Sequence, residues 1–183
     1  MLRSVIVDTQ EFDKTPTLLE LLADIRRDQF FASPVFVAVL AIEPDSSLLD
    51  DGNLTVQTAS HEPLDWAKHY AKQYANNPAY ALDVSGASSG GMLTLTIGRS
   101  RQASFRIPDE SVSSQHAKLI FDRSRYEYFV VDEHSRNGTH LNGERLRPGV
   151  RTQIWSGAYL SFGNSIFVFL DPPTLRKLSA IKG

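Results

Sequence analysis

The chain has 183 residues, of which 42% are hydrophobic, with a formal charge of −2 and no cysteine. This apolar content suffices for a packed core, in one large domain or in a normal domain with a substantial extension. The composition excludes disulfides, thiolate catalysis and cysteine-bound zinc, and the charge argues against a general nucleic-acid binder, which carries a basic footprint.

Membrane insertion is not expected either. The longest uninterrupted apolar run, Val35 to Ile42, falls far short of the roughly 20 residues that a spanning helix needs. The opening MLRSVIVDTQEF meets Asp8 and Gln10 before a signal-peptide core develops, and the lack of cysteine makes a cytoplasmic location the expectation. Charge is distributed unevenly. Residues 1–90 hold 6 Lys and Arg against 13 Asp and Glu, residues 91–172 hold 10 against 8, and residues 173–183 add three more cations. An acidic first half and a mildly basic second half suggest two units, with any anionic ligand on the second.

In chain order, Thr15-Pro16 reads as an N-cap followed by proline at the first helical position. Leu18, Leu21, Leu22 and Ile25 then recur at helical spacing, which predicts a helix over 16–30. The run SPVFVAVLAIEP is β-branched, short and bounded by proline, so a buried strand is expected at 35–42, with NLTVQTAS at 53–60 as a hairpin partner. EPLDWAKHYAKQYANNP places Leu64, Ala67, Ala71 and Tyr74 on one stripe of a second amphipathic helix, stopped at Pro78. These elements make a small mixed helix and strand region, residues 1–77, of unassigned role, packed on the C-terminal half through Leu18, Leu22, Phe30 and Trp66.

After Pro78 the texture changes to short alternating runs: YALDV, MLTLTIG, AKLIF, YEYFVV, RTQIW, YLSFG and SIFVFL. Turn signals separate them at a spacing suited to an all-β sandwich, here residues 78–172, followed by a basic tail at 173–183. The fold class is therefore α+β overall with a C-terminal β-sandwich. SGASSGG at 85–91 reads as a long hairpin loop.

Three polar clusters punctuate the β half. They contain Gly98-Arg99, then Val112-Ser113-Ser114-Gln115-His116, then Asp132 with Ser135-Arg136-Asn137-Gly138-Thr139 and Asn142-Gly143, then Gly157 with Phe162-Gly163. Asn-Gly is a strong signal for a two-residue hairpin turn. Turns alone do not explain why Ser135, Arg136, Asn137 and Thr139, all able to bond a polar ligand, crowd one of them. Four spaced elements in this order, each at a predicted strand end, resemble the forkhead-associated (FHA) domain family over about half the chain.

The resemblance implies a phosphothreonine-binding β-sandwich without catalytic activity, a metal or a cofactor. A phosphothreonine carries about −1.5 to −2 charges and three acceptor oxygens, so its reader needs a firm cation and several hydroxyl or backbone donors. On that likeness Arg99 supplies the charge-assisted bonds, Ser113 its hydroxyl, and Ser114 its backbone N–H. Arg136 adds a second cation, and Asn137 bonds the peptide backbone. Gly98, His116, Gly138, Thr139, Asn142 and Gly143 are expected to support the loops, His116 structurally rather than catalytically. His134 and His140 are read as exposed loop histidines rather than metal ligands.

The chain also departs from the family pattern. Ser114 stands where many members have Arg, Ser111 where some have another basic residue, and Ala158 where Asp is usual. Fewer cations imply weaker phosphate binding unless Arg136 compensates. The partner implied is a phosphothreonine-containing protein, in a Ser/Thr kinase pathway or an assembly. The alternative is a scaffold or secretion-apparatus component that uses the sandwich for phosphate-independent contact. An enzyme in the first 76 residues is disfavoured, because they hold no Gly-rich phosphate loop, no Ser/His/Asp order and no metal-ligand spacing.

Overall fold

The computed structural model describes residues 15–27, 36–42, 49–50, 53–54, 72–83, 88–89 and 91–180. In chain order the elements are α1 (Leu18–Arg27), β1 (Phe36–Ile42), β2 (Leu49–Asp50), β3 (Asn53–Leu54), β4 (Ala79–Asp83), β5 (Ser88–Ser89), β6 (Met92–Gly98) and β7 (Phe105–Arg106). There follow β8 (Ala117–Asp122), β9 (Glu127–Asp132), β10 (Thr139–Leu141), β11 (Glu144–Arg145), β12 (Thr152–Ile154), β13 (Tyr159–Phe162), β14 (Ser165–Leu170) and α2 (Pro172–Ala180).

Two sheets stack face to face. The first has the order β11-β10-β13-β14-β1-β4 and the second β12-β9-β8-β6-β5, with β7 parallel to the end of β6. The α+β class with a sandwich is as the sequence predicts. The alternation in β6 shows why: Leu93, Leu95 and Ile97 are buried, while Met92, Thr94 and Thr96 face away. Between the sheets these side chains meet Leu119, Phe121, Tyr128 and Val130 of the same sheet and Leu160, Phe162, Phe167 and Phe169 of the other. Each full burial of a large apolar side chain contributes roughly 1.5–3 kcal/mol.

β14 is apolar from Ile166 to Leu170 because both of its faces are covered. Phe167 and Phe169 enter the inter-sheet core, while Val168 and Leu170 turn to a second core on the far side of the first sheet. That second core is closed by Leu18, Leu21 and Leu22 of α1, Tyr74, and Leu175 and Leu178 of α2. The segment 173–183, read as a basic tail, is thus helical through Ala180, and its leucines pack beneath α1.

The N-terminal region differs from expectation in its pairing. β1 lies inside the first sheet, antiparallel to β14 from Ala38↔Leu170 to Ile42↔Ile166 and to β4 from Phe36↔Asp83 to Leu40↔Ala79. The short ladder of β2 with β3 takes Asn53–Leu54 instead, so that hairpin partner does not belong to β1. Residues 55–60, Phe30, Trp66 and most of the second expected helix lie outside the described residues. A strand apolar on both faces satisfies itself best in the middle of a covered sheet, not in a two-stranded hairpin. The sandwich's sheet therefore begins upstream of residue 78.

The start of α1 also shifts by two residues. Thr17, not Thr15, is the N-cap: its Oγ1 accepts from the Glu20 N–H at 3.3 Å, and Glu20 Oε2 accepts from the Thr17 N–H at 2.9 Å. This reciprocal capping box holds the Glu20 carboxyl below its ordinary range through the backbone hydrogen bond from Thr17.

Candidate phosphopeptide-binding site

Three loops meet at one end of the sandwich. They follow β6 (98–100), precede β8 (111–116) and join β9 to β10 (133–138). Backbone bonds tie the first two: Arg99 N–H donates to Ser113 O at 2.9 Å, Ser100 N–H to Ser114 O at 3.2 Å, and His116 N–H to Ile97 O at 2.9 Å. Gly98 is required for this approach. A Cβ there would stand 2.3 Å from the Ser114 carbonyl oxygen.

The third loop is fixed from below by Asp132, a buried carboxylate. Its Oδ1 accepts from Ser135 Oγ at 2.6 Å and Thr139 Oγ1 at 2.7 Å, and Oδ2 accepts from the Ser135 N–H at 3.1 Å. Burial pushes this carboxyl up, but the hydrogen bonds from Ser135 and Thr139 outweigh it, and the group titrates below its ordinary value. Ser135 and Thr139 are both buried, so two of the four polar side chains crowding the turn serve the fold rather than the surface.

His116 joins the second loop to the third. Its Nδ1 accepts from the Ser113 N–H at 3.0 Å, which leaves Nε2 as the protonated nitrogen, donating to Gly138 O at 3.1 Å. The ring is fully buried and packs edge-on against Phe162. Burial is the main reason its imidazole titrates below the ordinary value. Ser113 Oγ in turn accepts from the Arg136 N–H at 2.9 Å, which leaves its hydroxyl proton free to donate outward.

The outward-facing groups are few and polar. Arg99 donates Nε to Val112 O at 3.2 Å, which lays its guanidinium along the second loop with the remaining N–H groups unengaged among the described residues. Ser114 is exposed, and its backbone N–H has no partner among them. Arg136 and Asn137 are exposed too. Asn137 donates Nδ2 to Ser111 O at 2.7 Å, and Ser111 Oγ accepts from the Asn164 N–H at 2.8 Å.

Two guanidinium groups without an ion pair among the described residues, a hydroxyl and a backbone N–H thus lie on loops locked together from behind. The corresponding stretch of sequence, residues 95–163, matches the family model described as FHA domain. The chain carries a forkhead-associated domain. Among curated relatives, the FHA domain-containing protein FhaB of Mycobacterium tuberculosis is 32% identical over 89 residues, 46% of this chain and 56% of that protein. The human angiogenic factor with G patch and FHA domains 1 is 29% identical over 106 residues, 56% of this chain and 15% of that protein. The chain thus spans little more than half of one and a small part of the other. In fold, it is similar to the X-ray structure of the N-terminal FHA domain of S. cerevisiae Rad53p in complex with a phosphothreonine peptide. That likeness has a TM-score of 0.50 at 13% identity and covers 78% of this chain and 98% of that one.

The two Asn-Gly pairs of the FHA domain are built differently. Asn142 and Gly143 both have positive φ, 51° and 87°, and close the two-residue hairpin from β10 to β11. In the first pair only Gly138 does, at 84°, so Asn137 is not a left-handed turn residue. Asn142 does more than turn: its Oδ1 accepts from the Tyr159 N–H at 2.9 Å and pins the hairpin to β13. His134 is exposed, whereas His140 lies half-buried in β10 and is not a loop residue. No group of metal-ligating side chains occurs among the described residues.

Two contributors escaped the sequence reading. Asp109 accepts from the Ser111 N–H at 2.8 Å and, through its other oxygen, from Ser165 Oγ at 2.8 Å, bracing the loop that carries Ser113. The signal was the Asp-x-Ser triplet Asp109-Glu110-Ser111, an Asx-turn pattern. Ser111, noted only as lacking a cation, is the link between Asn137 and the β13–β14 turn. Gly163 permits this closeness, since a Cβ there would meet Ser111 Oγ at 2.5 Å.

Proposed function

We propose that this chain is a phosphothreonine-peptide-binding module without catalytic activity, serving a signalling or assembly role. The observation that supports it is the placement of Arg99, Ser113, Ser114 and Arg136 on three interlocked loops, each with a hydrogen-bond donor that no described residue uses. A dianionic phosphate ester needs this set, one guanidinium for charge and several preplaced donors for its oxygens. Rigid backing lowers the ordering cost of binding, since His116, Asp132 and Asp109 already hold the loops.

The roles follow from position. Arg99 and Arg136 neutralise the phosphate, and the Ser113 hydroxyl and Ser114 N–H donate to its oxygens. Asn137 keeps a side-chain carbonyl oxygen, unengaged among the described residues, that can accept from the peptide backbone beside the phosphothreonine. Gly98, Gly138, Thr139, Asn142 and Gly143 support the loops. The partner class is a protein phosphorylated on threonine by a Ser/Thr kinase. In the Rad53p domain, the bound ligand is likewise a phosphothreonine peptide.

The test is fluorescence anisotropy with a degenerate phosphothreonine peptide library, using unphosphorylated and phosphoserine controls and an Arg99→Ala protein. Binding that requires the phosphate and is lost in Arg99→Ala supports the reading. A folded protein that binds no phosphopeptide overturns it and leaves a phosphate-independent scaffold as the account to pursue.

A further inference from the structure

The hairpin closed by Asn142-Gly143 returns the chain alongside the phosphate-site loop, and it carries a third cation there. With His140 opposite Arg145 and Leu141 opposite Glu144, Arg145 comes to lie next to the turn at Asn137-Gly138. Contact is close: a Cβ added to Gly138 would stand 2.7 Å from Arg145 Nε and 3.1 Å from Nη2. The guanidinium therefore rests against the one residue of the loop that lacks a side chain. The Gly138 carbonyl is meanwhile held by His116.

No described residue pairs with this charge. Arg145 is exposed and makes no hydrogen bond or ion pair with a described residue. Glu144, its neighbour in β11, points to the opposite side of the strand, because successive side chains alternate. Facing Arg145 across the hairpin is His140, whose buried Nδ1 has no partner among the described residues and whose imidazole is pushed down first by burial and then by Arg145 itself. A cation beside a neutral ring, with no carboxylate among the described residues to pair it, can take one from outside.

We propose that Arg145 is a specificity-determining residue that pairs with an acidic side chain of the bound peptide, flanking its phosphothreonine. This rests on the phosphopeptide reading above. The Cα of Asn137 is ~3.8 Å from that of Gly138, so a peptide whose backbone is held by Asn137 passes within reach of the guanidinium. A planar fork with unengaged N–H donors suits a carboxylate.

The experiment measures the affinity of the full chain for phosphothreonine peptides in which each flanking position in turn is Asp, Asn or Lys. It compares wild type with Arg145→Gln, Arg145→Glu and Arg99→Ala. For an exposed pair, the expected preference for Asp over Asn at one position is about three- to fivefold, weakening as salt is raised. Arg145→Gln should abolish that preference while still binding an alanine-flanked phosphopeptide, and Arg145→Glu should transfer it to Lys. An unchanged Asp preference in Arg145→Gln overturns the proposal and leaves the phosphopeptide reading intact. Loss of all phosphopeptide binding in wild type overturns both.

Discussion

Ser113 donates its backbone N–H to Nδ1 of His116 at 3.0 Å, and the same ring closes on Gly138 O from its other nitrogen. One neutral imidazole thereby sets the spacing between the loop that offers the Ser113 hydroxyl and the loop that offers Arg136. The bond to Ser113 exists only while Nδ1 is unprotonated.

A pH dependence follows from that tautomer. Burial depresses the imidazole in the folded state below the value of 6.5 taken by a free histidine. The unfolded chain therefore binds the proton more readily, so stability is complete above that value and is lost progressively as the pH falls through and below it. Urea unfolding at about pH 7.5 and about pH 5.5 should show wild type weaker at the lower pH. His116→Asn, which keeps an acceptor toward Ser113 but cannot titrate, should be less stable by about 1–3 kcal/mol at the higher pH. It should also show a shallower slope, the remainder coming from His140, which moves in the same direction. An identical slope in the variant would remove His116 from this account.

Asp132 is expected to be the most sensitive polar position in the loops. Replacing it with Asn turns one acceptor oxygen into a donor, which faces the Ser135 N–H if it takes the Oδ2 place and both hydroxyls if it takes the Oδ1 place. In a buried site this should cost about 2–4 kcal/mol. Thr139→Val removes a single hydroxyl bond and should cost about 1–2 kcal/mol. Chemical denaturation of both variants checks the order, and a Thr139→Val loss larger than that of Asp132→Asn would contradict it.

Two glycines separate backbone strain from steric contact. Gly91 has φ of 84° with nothing within 4 Å of an added Cβ, so Gly91→Ala should cost only the conformational penalty, about 1 kcal/mol. Gly98 has no positive φ, but its Cβ would drive into the Ser114 carbonyl. Gly98→Ala must displace the loop bearing Ser113 and Ser114, and should cost about 1–3 kcal/mol together with a marked loss of phosphopeptide affinity. Thermal melts and anisotropy on the two proteins would show whether binding tracks the loop or merely the stability.

The pairing of β1 predicts where the chain can be cut. A fragment of residues 78–183 retains the whole family match but loses the strand between β14 and β4, along with the α1 leucines of the second core. It should fail to unfold cooperatively, or should associate through the exposed edge of β14. Circular dichroism melts and sedimentation of the fragment beside the full chain test this, and a monomeric fragment with full stability would show that β1 is dispensable.

Much of the β half was legible in the residues themselves. Alternation in MLTLTIG and in YEYFVV specified strands with one inward face, because a period of two leaves only one register that buries leucine and valine. Asn142-Gly143 specified a tight hairpin, because both residues tolerate positive φ at little cost. The order of Gly98-Arg99, Ser113, His116, Asn137-Gly138 and Asn142-Gly143 indicated which loops meet only through its resemblance to the FHA family. Those signals are local, or lie in a spacing that one chain displays directly.

Long-range partnership was not legible. FVAVLAI at 36–42 reads the same whether it pairs with 53–60 or with β14 and β4, since a strand's sequence records how many faces are buried and not which strands bury them. TLRKLSA in α2 reads as a basic tail until α1 supplies a surface for Leu175 and Leu178. Ser135, Arg136, Asn137 and Thr139 look equivalent as polar residues of one turn. Only the buried carboxylate of Asp132 beneath them draws Ser135 and Thr139 inward and leaves Arg136 and Asn137 outside, because a buried charge must be hydrogen-bonded by whatever hydroxyls the fold brings near.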